Sequence, residues 1–256
     1  MPHMRIDIIT LFEDLFTPFL NLGVTRRAFE ASAQEPASIQ VKCWNPRDFA
    51  TGPYRRVDDR PFGGGPGMVM MAEPLALCLA RICEDRLLSD PSFTRARVPV
   101  LLFTPVGEKL THSVVEREGA REDGAIWICG RYEGIDQRFI DAHVDLEISL
   151  GDFVLSGGEL PALALLDSMA RLRPGVLGEP QSHLQDSFNP TLEGLLDCPH
   201  YTRPEVWQGR EVPGVLMSGH HAQIEQWRES ERLRLTQARR PDLLPKGSGS
   251  KVKKRF

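Results

Sequence analysis

The sequence predicts an α/β protein built on parallel strands, followed by a smaller, mainly helical segment, and three observations carry that prediction. Three short apolar runs each end in a glycine-punctuated turn: Pro99-Val-Leu-Leu-Phe-Thr-Pro-Val-Gly107, Ala125-Ile-Trp-Ile-Cys-Gly-Arg-Tyr-Glu-Gly134, and Leu146-Glu-Ile-Ser-Leu-Gly-Asp-Phe-Val-Leu-Ser-Gly-Gly-Glu159. Helical patterns separate them, as crossover connections between parallel strands require. The third observation is a polar stretch with two prolines and no period, from Gly178 to Gly194, after which the pattern turns helical.

Element by element, Arg5 to Thr10 reads as a first strand, and Leu11 to Phe29 as a helix broken near Pro18 and Gly23. Ser38 to Trp44 alternates as a second strand does. A turn-rich stretch from Asn45 to Met68 holds Asp58-Asp-Arg-Pro-Phe-Gly-Gly-Gly-Pro-Gly67, and Pro74 to Leu88 is helical in period. The three strand–turn units follow, with helices over Thr111 to Glu122 and Gly134 to His143 between them. Leu160 to Arg173 is a strongly apolar helix stopped by Pro174-Gly175. A long structureless segment is usually a lid or a linker, which places the domain boundary in 178–194. Beyond it, Tyr201 to Trp207 reads as a loop, and Ser218 as the cap of a helix running from His220 to Arg240. The division expected is therefore 1–177 for the α/β domain, 178–194 for a flexible lid, 195–246 for a helical domain and 247–256 for a disordered basic tail.

Composition narrows the class. In 256 residues, 41% hydrophobic and 26% charged are ordinary for a soluble globular chain. No apolar stretch approaches the roughly 20 residues of a membrane helix, and the N-terminus lacks the layout of a signal peptide; the expected home is the cytoplasm. The five cysteines form no C-x-x-C pair, so neither a zinc ribbon nor a disulfide framework is supported, and they read as small core residues. The net charge is −4, but the ten Lys and Arg from Arg228 to Phe256 face only three acids, a local balance of +7 that leaves −11 elsewhere. Such asymmetry fits a phosphate footprint, and it fits a solvated helix face with a basic tail equally well.

The glycine turns point to a ligand. Loops at the C-terminal ends of parallel strands are where open α/β sheets bind, and glycine lets the main chain approach a flat molecule. Gly63-Gly-Gly-Pro-Gly67 lacks the Gly-Lys-Ser/Thr ending of a P-loop, and no G-x-G-x-x-G opens a helix after a strand. The turns also lack a run of Lys or Arg, which disfavours a polyphosphate. A mostly neutral, flat ligand such as an adenosine moiety fits better; ordinary strand-end turns are the bland alternative.

Four motifs carry a resemblance to a known family: Gly130-Arg-Tyr-Glu-Gly-Ile-Asp136, Gly151-Asp-Phe-Val-Leu-Ser-Gly-Gly-Glu-Leu-Pro161, Asp58-Asp-Arg-Pro-Phe-Gly-Gly-Gly-Pro-Gly-Met68 and Leu196-Asp-Cys-Pro-His-Tyr-Thr-Arg-Pro204. From about Arg5 to about Leu244 the chain resembles the bacterial tRNA (guanine-N1)-methyltransferases of the SPOUT class, the TrmD family. The resemblance implies a trefoil-knotted α/β fold whose three glycine turns bind S-adenosylmethionine, an obligate homodimer with each site shared between subunits, and tRNA with G36-G37 as substrate. It assigns the methyl donor to Pro105, Gly107, Gly130, Tyr132, Glu133, Leu150, Gly151, Asp152, Phe153, Val154, Leu155, Gly157 and Gly158, with Glu133 facing the donor's methionine amine or, alternatively, only solvent. Two positions depart from the family pattern: Val106 replaces an amide side chain in the first turn, and Phe153 stands where tyrosine is frequent.

The chemistry implied is proton removal from guanine N1, charge stabilisation at O6 and in-line methyl transfer. The resemblance places the catalytic aspartate at Asp186 and the catalytic arginine at Arg171. Taken alone, the first reads as a solvated linker residue and the second as a helix C-terminal charge favoured by the dipole. Asp197 is expected to help grip guanine, or to act as a turn residue. Ser187, Arg55, Arg56 and His220 are the further substrate contacts expected. His220-His221 has no matching metal ligands, and no metal site is recognisable, although Mg²⁺ is associated with the family's activity. Two competing readings are an RNA-binding module without the chemistry and another α/β nucleotide-binding enzyme. The presence of both Asp186 and Arg171 favours the methyltransferase.

Overall fold

A computed structural model describes residues 4–31, 37–178 and 182–244. It divides the chain into two compact units, Met1–Gly178 and Glu179–Phe256.

The first unit is laid out as β1 (Met4–Ile9), α1 (Phe16–Asn21), β2 (Ile39–Trp44), the two-residue strands β3 (Asp58–Asp59) and β4 (Val69–Met70), α2 (Ala72–Ser89), β5 (Val100–Lys109), α3 (His112–Gly119), β6 (Ala125–Cys129), α4 (Gln137–His143), β7 (Leu146–Ser149) and α5 (Glu159–Arg171). Five strands form one sheet in the order β2-β1-β6-β5-β7, and every pairing in it is parallel.

Strand alternation explains why this sheet is buried on both faces. Ile6, Leu101, Phe103, Ala125, Trp127 and Cys129 point to one side, where Phe16, Val114, Leu165 and Met169 of α1, α3 and α5 cover them. Ile9, Val100, Leu102, Ile126 and Ile128 point to the other, against Leu75, Cys78 and Ile82 of α2 and Phe139 of α4. At the centre, Trp127 meets Phe103 edge to face, with ring centroids 5.5 Å apart, a geometry worth about 0.5–1.5 kcal/mol beyond area burial.

The long helix expected over Leu11 to Phe29 is resolved into pieces. Only α1 is α-helical, flanked by 3-10 turns over Glu13–Leu15 and Thr25–Ala28, because Gly23 takes the left-handed conformation, φ +73°, that ends a helix. A larger difference concerns the first glycine turn. It does not end its strand: β5 runs on through it, and Thr104 to Gly107 bulge out between two stretches paired with β7, so that Phe103 and Glu108 both oppose Ile148. The continuation is held by Leu110 N–H donating to Ser149 O at 2.8 Å.

The cysteines sit where core residues belong. Cys78, Cys129 and Cys198 are buried. Burial pushes the Cys43 and Cys78 thiols up to about 12 and raises Cys83, Cys129 and Cys198 as well. The thiolate is the reactive form, so the native protein is expected to react slowly at pH 8 with a thiol-specific disulfide reagent. All five cysteines should react rapidly once guanidinium unfolds it. Rapid native labelling of Cys129 would contradict this burial.

In the second unit, 3-10 turns span Ser182–Gln185 and Pro190–Leu192, so the segment expected to be structureless carries local order. Its residues 179–181, like the tail at 247–256, lie outside the described residues. Asn189 is buried: its side chain donates to His183 O at 3.0 Å and accepts from Thr191 N–H at 2.9 Å. The loop expected at Tyr201 to Trp207 instead ends in a hairpin, β8 (Val206–Trp207) against β9 (Arg210–Glu211), turned by Gln208 and Gly209 at positive φ. Then come α6 (Gly214–Met217) and α7 (His221–Arg239). Ser218 does not cap α7. Its hydroxyl donates to Val215 O at 2.8 Å and accepts from His220 N–H at 3.1 Å, finishing the preceding turn, and His220 occupies the N-cap position without a side-chain cap bond.

Candidate functional site

The C-terminal ends of β5, β6 and β7 open onto a cavity of about 370 Å³, within the range that holds a small ligand. Three segments supply most of its wall: residues 102–106 from β5 and its bulge, 130–135 after β6, and 147–150 at the end of β7 with 153–158 beyond it. Of the residues assigned to the methyl donor, Pro105, Gly130, Tyr132, Glu133, Leu150, Phe153, Val154, Leu155, Gly157 and Gly158 are in this wall. Gly107, Gly151 and Asp152 are not. Gly107 packs against the main chain of Glu147 and Ile148, and Gly151 lies under the Phe153 ring. Asp152 pairs with Lys109 at 2.7 Å on the exposed side.

The glycines of the wall answer to crowding. A Cβ on Gly158 would stand 2.7 Å from Cys129 Cα, where main chain cannot yield, and Gly158 N–H donates to Gly130 O at 3.0 Å. The second and third turns thus meet through a direct backbone hydrogen bond. Tyr132 holds the left-handed conformation, φ +60°, unusual for a bulky residue and of the kind that concentrates at functional sites. Burial raises its phenol, with Asp58 adding to the effect.

The second turn is also braced from outside the sheet. Glu133 N–H donates to Met68 O at 2.9 Å and Met70 N–H to Gly134 O at 2.9 Å, so the end of the glycine-rich stretch 63–67 leans on the cavity wall. A Cβ on Gly67 would run into the Glu133 side chain.

The charges in the wall are few: Arg131, Glu133 and Glu147. Arg131 is matched by Glu159, its Nη2 standing 2.9 Å from Oε2. A wall with one committed cation and two carboxylates suits a neutral or cationic ligand and not a polyphosphate. Neither Arg131 nor Glu159 stood out in the sequence as a site residue. The signal present was a carboxylate in the first turn of an apolar helix directly after Gly157-Gly158, where it would be buried.

The remaining expected residues are spread over both units. Arg171 is the last residue of α5. Arg55 and Arg56 are exposed and pair with Asp48 at 3.1 Å and Asp59 at 3.7 Å. In the second unit, Asp186 follows the 3-10 turn, its carbonyl accepting from Asn189 N–H at 3.2 Å, and Phe188 beside it has φ +72°. Ser187 Oγ accepts from Asp197 N–H at 2.9 Å. Asp197 accepts from Cys198 N–H at 2.6 Å and faces His200 Nε2 at 2.9 Å, with Arg232 Nε at 3.8 Å. The structure therefore joins Ser187 to Asp197, whose carboxylate is engaged by Cys198 N–H, His200 and Arg232. Among the described residues no group of three or more His, Cys, Asp or Glu could hold a metal ion, and no helix is long and apolar enough to cross a membrane.

Known proteins are similar to this chain over almost its whole length. Residues 4–246 match the family model described as tRNA (Guanine-1)-methyltransferase TrmD. A tRNA (guanine-N(1)-)-methyltransferase of Polaromonas sp. (strain JS666 / ATCC BAA-500) is 63% identical over 243 residues, covering 95% of this chain and 90% of the relative. Proteins of the same name from Paracidovorax citrulli and Albidiferax ferrireducens are 61% and 63% identical, each over 94% of this chain and 91% and 92% of their own lengths. With its glycine-walled cavity at the ends of three parallel strands, this chain belongs to the TrmD family of tRNA (guanine-1)-methyltransferases.

Proposed function

We propose that the protein transfers a methyl group from S-adenosylmethionine to N1 of the guanosine at position 37 of tRNA, beside the anticodon. The observation that carries this reading is the cavity wall: three loops of mostly main chain and apolar side chains, whose single arginine is already neutralised by Glu159. The names of the relatives support the guanine-N1 and tRNA parts of it.

The wall fits the donor on its own features. The adenosine moiety is flat and uncharged, which suits the close backbone of Gly130 and Gly158. The carboxylates of Glu133 and Glu147 suit the cationic sulfonium and ammonium groups. When bound, S-adenosylmethionine supplies an electrophilic methyl group on a sulfonium. The remaining work falls to the chain. Asp186 accepts the N1 proton, without which that nitrogen is a poor nucleophile. Arg171 places positive charge where guanine O6 becomes negative. Ser187 and Asp197, linked to each other, hold the flipped base, and Arg55, Arg56 and His220 reach the RNA.

The same reading includes a trefoil knot through the three turns, a homodimer that shares each site between subunits, and the cytoplasm as its place of work. The backbone contact of Gly107 with Glu147–Ile148 and of Gly158 with Cys129 supports a tight crossing of chain segments. The division of labour follows 1–177 for donor binding, 178–194 for the lid bearing Asp186, and 195–246 for tRNA.

Incubation with labelled S-adenosylmethionine and two transcripts tests the reading, one with guanosines at 36 and 37 and one with adenosine at 36. Label is expected in the first and nearly none in the second. No transfer to the first would remove the proposal.

A further inference from the structure

The ion pair behind the cavity wall has a role of its own, one that rests on the reading of that cavity as the methyl-donor site. Glu159 is 1% exposed at the first position of α5. It does not line the cavity, and neither does Thr10. Thr10, fully buried directly after β1, donates its hydroxyl to Glu159 Oε1 at 2.9 Å and accepts from Phe12 N–H at 3.0 Å. On the other side Arg131 stands 2.9 Å from Glu159 Oε2, donates Nη1–H to Ser156 O at 3.2 Å, and lies over the Phe12 ring at 4.3 Å.

Three facts separate this arrangement from ordinary core packing. A buried ion pair gives little net stability over apolar residues of the same volume, so fold stability does not explain a buried glutamate here. Second, Gly157 is held between the partners: a Cβ on it would meet the Arg131 side chain and stand 2.6 Å from Glu159 Oε2. Third, the approach leaves Glu159 Oε2 and Arg131 Nε buried without hydrogen bonds, so charge and position hold the pair, with bonding capacity unused beside Gly157.

We propose that Glu159 is a positioning residue for methyl transfer: gripped by Thr10, it holds Arg131 and thereby fixes the second glycine turn against the third at the spacing the methyl donor requires. The pair couples Gly130–Gly134 to Ser156–Gly158 and anchors both to β1, so loosening it widens the wall without removing any group that touches the donor.

Calorimetric titration of the full-length protein with S-adenosylmethionine and with S-adenosylhomocysteine tests this, alongside Tm and steady-state rates. Thr10→Val and Glu159→Gln are each expected to raise Kd for both compounds about tenfold. In the double variant the losses should fall well short of adding, and kcat at saturating donor should stay within about twofold of the wild type. Thr10→Ser should restore binding. Arg86→Met, which disturbs a buried ion pair elsewhere in the unit, should lower Tm and leave both Kd values alone. Donor Kd unchanged in Thr10→Val and Glu159→Gln would overturn the positioning role, as would a Kd loss in Arg86→Met that scales with Tm in the same proportion. If Glu159→Gln fails to fold, Thr10→Val decides alone. Wild-type protein that binds neither compound would overturn the reading of the cavity and this proposal with it.

Discussion

Asp186→Asn is expected to lower the rate of methyl transfer by about a hundred- to ten-thousandfold, the usual yield of a positioned general base, while the affinity for S-adenosylmethionine stays near that of the wild type. Asparagine keeps the shape of the side chain and leaves the backbone carbonyl accepting from Asn189 N–H as now. What it removes is the ability to take a proton. Guanine N1 is protonated at neutral pH, so nucleophilicity depends on that transfer and on little else at this position. The variant therefore separates chemistry from binding: kcat should fall and donor Kd should not. Turnover surviving the change would show that another group carries the proton. The left-handed conformation of Phe188, two residues on, sets the direction of this turn and marks it as a place where geometry outweighs backbone comfort.

The second large effect is on stability. Asp7→Leu is expected to cost about 3–5 kcal/mol, seen as a drop in Tm of about 10 °C for a chain of this size. Asp7 is fully buried in β1. It accepts from Arg86 Nε at 2.6 Å, from Arg5 Nη2 at 2.8 Å and from Trp44 Nε1 at 2.8 Å. Arg86 is only 5% exposed, and burial draws its guanidinium below the ordinary value while Asp7 opposes that shift. Leucine fills the space but leaves the buried Arg86 charge with no carboxylate, facing the carbonyls of Arg5, Asp123 and Ala125 and the Phe93 ring. The reverse change, Arg86→Met, should cost less, because Asp7 keeps Arg5 and Trp44. Equal losses from the two variants would contradict this picture of the pair.

Most of the first unit was legible in the sequence for a physical reason. Where a strand is buried on both faces its residues are almost all apolar, and Ala125–Cys129, with every residue buried, is as plain a signal as sequence offers. The features that escaped depend on long-range pairing or on very short elements. The bulge at Thr104 to Gly107 looked like a strand end because Pro105 and Gly107 are turn residues, yet it is the pairing of Glu108 and Lys109 with β7 that carries the strand onward. The hairpin of β8 and β9 has two residues per strand, too few for any period to appear. Ser218 had the right chemistry for a cap, but its hydroxyl is engaged with Val215 and His220.

The candidate site divides the same way. The glycine turns were visible because their chemistry is local. Arg131 and Glu159 were not, since they lie 28 positions apart and only the topology brings β6 and α5 together. Ser187 and Asp197 were visible as residue types, but the hydrogen bond between them appears only once the segment between them turns back on itself.

Identifying the product is the sharpest test of the proposed methyl transfer. Protein, S-adenosylmethionine and an unmodified tRNA transcript with guanosines at 36 and 37 are incubated, and the RNA is digested and mapped by mass spectrometry. The expected result is one methyl group per tRNA, as 1-methylguanosine at position 37. A methyl group on another atom or another nucleotide, or none at all, would contradict it.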